Sequence, residues 1–379
     1  MQFTPHINND IIKCRRIIIG ENMNNRIEKV FKLADASVKR FARAKLSWQW
    51  GQGLFIYALS MIDSEFTQDK FALYIKQYYD RHIRIGYKIN SQFALPAALS
   101  ALWLYDKTKE IKYRKIGEAG AEYLKSAEKT ADGIPYHSGG GIISRLYPES
   151  IRTDSIMMCG VFASIYAKYN DDNKIKETVS NLTKLFTKNL LDSDEHLLYH
   201  SYLTQIKTRY PLAKILWATD NAMTLWALSV LLENSEEKKE KEYTVELFRN
   251  LSGALLKYQR ADGYFESVLN IINKTGKESS ATMFIACAWF YGYRKGLLSV
   301  EYYRAAIRAF NAVTDDFEIK KGLLSMPYIS APAHPLLPPY LVMSRASDRH
   351  NGLAAAFLAA LEYKRCIDDK AGISNYEIL

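Results

Sequence analysis

Apolar residues recur every three to four positions along most of this chain, and strict alternation of apolar with polar residues is almost nowhere sustained. That period marks helices with one face turned inward rather than strands. Twelve helical segments are predicted, at about 26–43, 52–63, 68–83, 92–105, 110–127, 154–169, 173–188, 221–233, 238–258, 280–294, 299–312 and 350–365, each boundary good to about 2–4 residues. They alternate between two classes. Segments such as "IEKVFKLADASVKRFARA" and "KKEKEYTVELFRNLSGALLKYQ" carry charge on one face and apolar residues on the other, as surface helices do. Segments such as "NAMTLWALSVLLE", "SATMFIACAWFYGY" and "NGLAAAFLAALEY" are apolar nearly all round, as helices enclosed by others are.

An alternation of outer and inner helices predicts an all-α protein built as an (α/α)6 barrel. Residues 26–379 form one domain in this reading, after an N-terminal extension over 1–25. An open solenoid and two packed bundles are the alternatives; the absence of a shared repeat motif or a constant period argues against the solenoid.

Polar residues gather just ahead of the inner segments, in "WQWGQG" (48–53), "YKINSQ" (87–92), "ESIRTD" (149–154), "WATDN" (217–221), "GKESS" (276–280) and "SRASDRHNG" (344–352). If the inner helices run parallel, all of these clusters meet at one end of the barrel. Exposed N–H groups and positive dipole ends there would suit an anion such as a carboxylate. Each cluster taken alone also reads as a helix cap, but caps do not account for Trp48, Trp50 and Trp217 or for Gly51 and Gly53. Asp154 is the sharpest case, one carboxylate at the mouth of the greasy run "SIMMCGVFASIYAKY". It is either a cap or a proton donor held where water is scarce.

Other chemistry finds less support. "DGIPYHSGGG" (132–141) lacks the Lys-Ser/Thr ending of a phosphate loop, and its Tyr136 and His137 read as rim residues. His200, in "YHSY", is equally readable as structural or functional. "HPLLPPY" (334–340) must run extended or turning and is expected to fold over the pocket mouth. No metal-ligand spacing and no nucleophile motif stands out, so neither metal nor cofactor is expected. Cys14, Cys159, Cys287 and Cys366 are far apart and read as buried thiols of a reducing compartment.

Composition bounds the partners. Hydrophobic residues at 48% and charged residues at 24% describe a chain that buries a core. The 51 Lys and Arg against 41 Asp and Glu favour encounter with polyanions. The basic residues are nonetheless scattered among acids, so they read as solvated helix faces and not as a nucleic-acid stripe. The first 25 residues carry no continuous secretory h-region and no run reaches a membrane span, so a cytoplasmic protein without a membrane partner is expected. Oligomeric state is not legible.

"WQWGQGLFIYAL", "RTDSIMMCGVFASIYAKY", "WATDNAMTLWALSVLLE", "YFESVLN…ESSATMFIACAWFYGYRKGLL" and "NGLAAAFLAALEY" together resemble, in this order, the motifs of glycoside hydrolase families 88 and 105. Those are the unsaturated glucuronyl and unsaturated rhamnogalacturonyl hydrolases. The resemblance implies the (α/α)6 barrel and removal of a Δ4,5-unsaturated uronic acid from acidic oligosaccharides by hydration of the ring's C4–C5 double bond. It puts the general acid/base at Asp154. Trp50, Asn90, His137, Arg152, His200, Trp217, Asp220, Asn221, Ser279, Ser280, Arg349 and His350 are the expected substrate-positioning residues.

Two departures accompany the likeness. Asn90 stands where the family has a second acid, and "WATDNAM" lacks the arginine and second tryptophan of the family's Trp-x-Arg-Gly-x-x-Trp segment. Arg152, Arg345 or Arg349 could take over the anion. A catalytically degenerate barrel that binds a glycan or a protein, and a sugar epimerase on the same fold, are the alternative functions.

Overall fold

In chain order the helices are α1 (His6–Arg40), α2 (Trp50–Phe66), α3 (Ala72–Ile85), α4 (Ala101–Thr108), α5 (Ile111–Ser126), α6 (Phe162–Tyr169), α7 (Asn173–Leu190), α8 (Ala218–Asn234), α9 (Lys238–Leu256), α10 (Ser279–Arg294), α11 (Val300–Asp315) and α12 (His350–Gly372). They come from a computed structural model that describes residues 6–42, 45–131, 133–135, 137, 149–235, 238–331 and 344–372. Every predicted segment has its helix. The even-numbered helices form the inner ring: α12 packs on α10 and on α2, α10 on α8, and α8 on α6, while α2 meets the turns that lead into α4. Contact between α12 and α2 closes the ring, which distinguishes a barrel from an open solenoid. Each odd-numbered helix lies outside an inner one, α1 on α12, α3 on α2, α5 on α4, α7 on α6, α9 on α8 and α11 on α10.

Departures from the predicted boundaries have local causes. α1 begins at His6, so residues 6–25 of the stretch read as an extension are helical backbone, and no proline interrupts them. The second inner segment is not one helix from residue 92. It opens with two 3-10 turns, Gln92–Ala94 and Pro96–Ala98, before α4. Pro96 has no N–H to return to the Gln92 carbonyl, and Leu95 N takes that acceptor at 3.1 Å in a tighter turn.

Gly53 of α2 faces this irregular stretch. A Cβ there would lie 2.3 Å from Ala97 N and 2.4 Å from the Pro96 carbonyl carbon, so only glycine permits the approach. The third inner segment starts with a π-helical turn, Ile156–Val161, ahead of α6.

Short strands cross the loops: β1 (Ser150–Arg152), β2 (Ser201–Leu203), β3 (Thr208–Tyr210), β4 (Phe265–Glu266), β5 (Lys277–Glu278), β6 (Glu318–Lys320), β7 (Leu323–Ser325), β8 (Ile329–Ser330) and β9 (Arg345–Ala346). At two or three residues each, they are too short to leave an alternating pattern in the sequence. β1–β2–β3 is an antiparallel sheet in which Arg152 lies opposite Ser201, and β8 pairs with β9. Among the described residues no helix is long and apolar enough to cross a membrane.

Candidate active site

The starts of the inner helices converge as the sequence pattern requires, around a cavity of about 190 Å³. Trp50 enters from the first turn of α2, Phe93 from the 3-10 turn, and Arg152 and Asp154 from β1 and the residues after it. His200 comes from the residue before β2, and Trp217, Thr219, Asp220 and Met223 come from the start of α8. Asn351 of α12 and Ser330 and Ala331, in and after β8, complete the lining. Every inner-helix start except that of α10 reaches the cavity, and there β8 lies in front.

Asp154 is not a cap. Its backbone carbonyl accepts from Met158 N at 3.0 Å, which starts the helical turn, while its side-chain Oδ1 is buried without a hydrogen-bond partner among the described residues. The carboxyl keeps 13% of its surface, so it is nearly but not fully enclosed. Burial pushes its pKa above the ordinary carboxylate range; Arg152 pulls it down, Asp220 pushes it up and His200 pulls it down. Burial is the largest of these effects.

Glu278 makes the contrast plain. It too begins an inner helix and its pKa is also pushed up by burial, but its carboxylate accepts from Ala281 N, Ser280 Oγ and Ser330 N and caps α10.

Around Asp154 the sheet sets the neighbours. Pairing of β1 with β2 puts Arg152 beside Ser201, and Thr153 N donates to the His200 carbonyl at 3.2 Å. Arg152 Nη2 lies 3.1 Å from His200 Nε2, and His200 Nδ1 is in very short contact with Asp220 Oδ2. Guanidinium has no acceptor, so Nε2 must accept from Arg152 and the ring proton sits on Nδ1, donated to Asp220. His137 Nδ1 lies 3.5 Å from Asp154 Oδ1 and 3.3 Å from Ser155 Oγ, with the ring packed edge-on against Phe93. Burial first, then Arg152 and His200, hold His137 well below the ordinary imidazole value, so it is neutral.

Of the residues singled out from the sequence, Trp50, Arg152, Asp154, His200, Trp217 and Asp220 line the cavity, and His137 stands directly against Asp154. The structure does not bring the others to it. Asn90 is exposed, and Phe93, in the 3-10 turn that follows, lines the cavity instead.

Asn221 is a structural bridge, bonded to Leu198 N, Leu198 O and Trp217 O. Ser279 Oγ donates to Pro327 O, and Ser280 Oγ to Glu278. For these three the capping or bracing role that any helix start invites is the one found. Arg349 is half-buried outside the lining. His350 packs against Phe41 and Phe55, and burial lowers its pKa to about 4. Trp48 is core, stacked on Tyr78 with ring centroids 5.9 Å apart.

Phe93, Thr219, Met223, Ser330, Ala331 and Asn351 were not predicted. Thr219 and Asn351 stood inside quoted clusters and could have been taken with their neighbours; Ser330 and Ala331 left no signal. Tyr136 and the "HPLLPPY" segment lie outside the described residues. No group of three or more His, Cys, Asp or Glu able to hold a metal occurs among the described residues.

The model of the family described as Glycosyl Hydrolase Family 88 matches residues 21–367. Three solved structures are similar. One is a glycoside hydrolase from family 105 of C. acetobutylicum, 22% identical over 89% of this chain and 99% of that one, with a TM-score of 0.80. Another is a possible family 105 member from Salmonella enterica serovar Paratyphi A, at 19% identity, 91% and 94% coverage and a TM-score of 0.78. The third is an unsaturated glucuronyl hydrolase specific for heparin, at 14% identity, 91% and 98% coverage and a TM-score of 0.71. At these identities the structural likenesses establish the six-hairpin toroid.

Proposed function

We propose, from the premise that the chain belongs to glycosyl hydrolase family 88, that it removes an unsaturated uronic acid from the end of acidic oligosaccharides, with Asp154 as general acid and base. The observation that carries this reading is a nearly enclosed carboxyl, one of whose oxygens has no hydrogen-bond partner among the described residues, in a cavity that also holds a guanidinium and aromatic walls. A protonated carboxyl is the donor that hydration of an enol ether needs near neutral pH. A structurally similar protein acts on heparin, an acidic polysaccharide, which accords with an acidic substrate here.

In this mechanism the substrate's ring lies between Trp50, Phe93 and Trp217, whose flat faces suit a sugar, and its carboxylate meets Arg152. Asp154 gives its proton to C4 as the double bond's electrons form the new C–H bond. Water adds to the cation left at C5, and its proton returns to the Asp154 carboxylate. The resulting hemiketal opens and expels the rest of the sugar chain. A degenerate binding barrel, suggested by Asn90, loses force: Asn90 is outside the cavity, and a second carboxylate, Asp220, is inside it.

The test is to incubate the protein with lyase-generated uronic disaccharides and follow absorbance at the enol ether band. Loss of absorbance that disappears in Asp154→Asn supports the proposal; unchanged absorbance across uronic substrates removes it.

A further inference from the structure

Asp220 has no place in the steps above, yet it is buried in the same cavity, where an ionised carboxylate is costly unless it is paired. Its partner is His200, and the partner of His200 is Arg152. The three side chains form one directed line from α8 to β1. Arg152 donates to Nε2, Nδ1 donates to Asp220, and no other arrangement of the ring proton satisfies both contacts. Asp154 sits two residues beyond Arg152 on the same chain segment, so whatever fixes the guanidinium and its charge acts on that carboxyl.

We propose that Asp220 is a positioning residue: through His200 it moors Arg152, and its negative charge offsets that of the guanidinium at Asp154. The inference rests on the reading of Asp154 as the acid. An acid beside an arginine tends to lose its proton, and a site that needs the arginine for an anionic substrate must cancel that pull. Asp220 does so without touching Asp154.

Among the described residues, the groups facing Asp154 are Arg152 from β1, His137, His200 from ahead of β2, Asp220 from α8 and Cys159 from the π turn. His137 is held neutral, and burial, with Asp154 adding to it, pushes the Cys159 thiol far up. Arg152 and Asp220 thus act on Asp154 with opposite sign, and His200 links them.

The experiment is a carbon-13 NMR titration of carboxyl-labelled aspartates in the full chain, with the Asp154 signal identified by its loss in Asp154→Asn. Asp220→Asn keeps the size and the acceptor oxygen for His200 but removes the charge, and is expected to lower the Asp154 midpoint by about one pH unit. Asp220→Glu, which keeps the charge, is expected to return it toward wild type. Asp220→Ser, smaller and likewise uncharged, is expected to lower the midpoint as well, and it decides the matter if Asp220→Asn does not fold.

The alkaline limb of kcat/KM should fall in step with the midpoint, leaving about tenfold less acid form at pH values above it. An Asp154 midpoint unchanged in both Asp220→Asn and Asp220→Ser overturns the proposal. A wild-type protein that consumes no unsaturated uronic substrate overturns the proposed function, and the titration still decides the role of Asp220.

Discussion

At one end of the barrel Trp50, Trp217, Arg152 and Asp154 surround a cavity of about 190 Å³; at the other, Trp103, Trp226, Arg294, Arg365 and Glu362 surround one of about 400 Å³. Both mouths are made of tryptophan, arginine and carboxylate. At the larger, where the inner helices end, the charges satisfy one another. Arg294 donates twice to Glu362 Oε2, Arg365 Nη1 donates to Glu362 Oε1, and Arg365 Nε and Nη2 donate to Glu65. At the smaller, Asp154 Oδ1 and Thr219 Oγ1 are buried with no partner among the described residues. What sets the smaller mouth apart is therefore not its size but its unspent hydrogen-bonding capacity.

The comparison can be broken most directly at Asp154. Asp154→Asn is expected to lower kcat by about 10²–10⁴-fold, the usual contribution of a general acid, read as enol ether absorbance against time; a fully active variant would move the acid elsewhere. Next comes Arg152→Ala. Losing a charged hydrogen bond to the substrate's carboxylate should raise KM by about 10–100-fold with a smaller change in kcat, and steady-state kinetics separates the two.

At the opposite mouth the expectation reverses. Glu362→Gln should leave turnover as it is and cost about 1–3 kcal/mol of stability, because two arginines lose a charged acceptor; a denaturant titration beside a rate measurement checks both halves.

The smallest effect is a stability difference with a definite sign. Burial raises the pKa of Asp154, so the folded chain keeps a proton that the unfolded chain releases. That carboxyl's contribution is complete below the ordinary carboxylate range and is lost as pH rises through the folded value. Melting curves of wild type and Asp154→Asn should nearly coincide around pH 4 and separate toward about pH 8, the variant melting higher by roughly a few degrees.

Inner helices were legible because a helix enclosed on all sides leaves a long apolar run, and Asp154 because a lone charge at such a run is conspicuous. What connects the helices was not. Ser330 reaches the cavity on a two-residue strand, and no pattern in so short a stretch announces it. Asn90 is exposed while Phe93, three residues on in the 3-10 turn, lines the cavity, a placement that the polar cluster alone does not reveal.

His200 and Asp220 were each named from the sequence, but their line to Arg152 depends on the β1–β2 pairing, which joins residues nearly fifty positions apart. Gly53 was noticed without a reason; the reason is the backbone of Ala97, which a local reading does not contain.

The wide turn at Ile156–Val161 has a further consequence for how Asp154 is aimed. A π turn accommodates one residue more than the helix it leads into, and each residue advances an α-helix by about 100°. The register between α6 and Asp154 thus depends on a count of residues, with the β1–β2 pairing holding the other side. Excising a single residue such as Gly160 is expected to shift that register and draw Asp154 away from Arg152 and His200, although every wall residue stays in the chain.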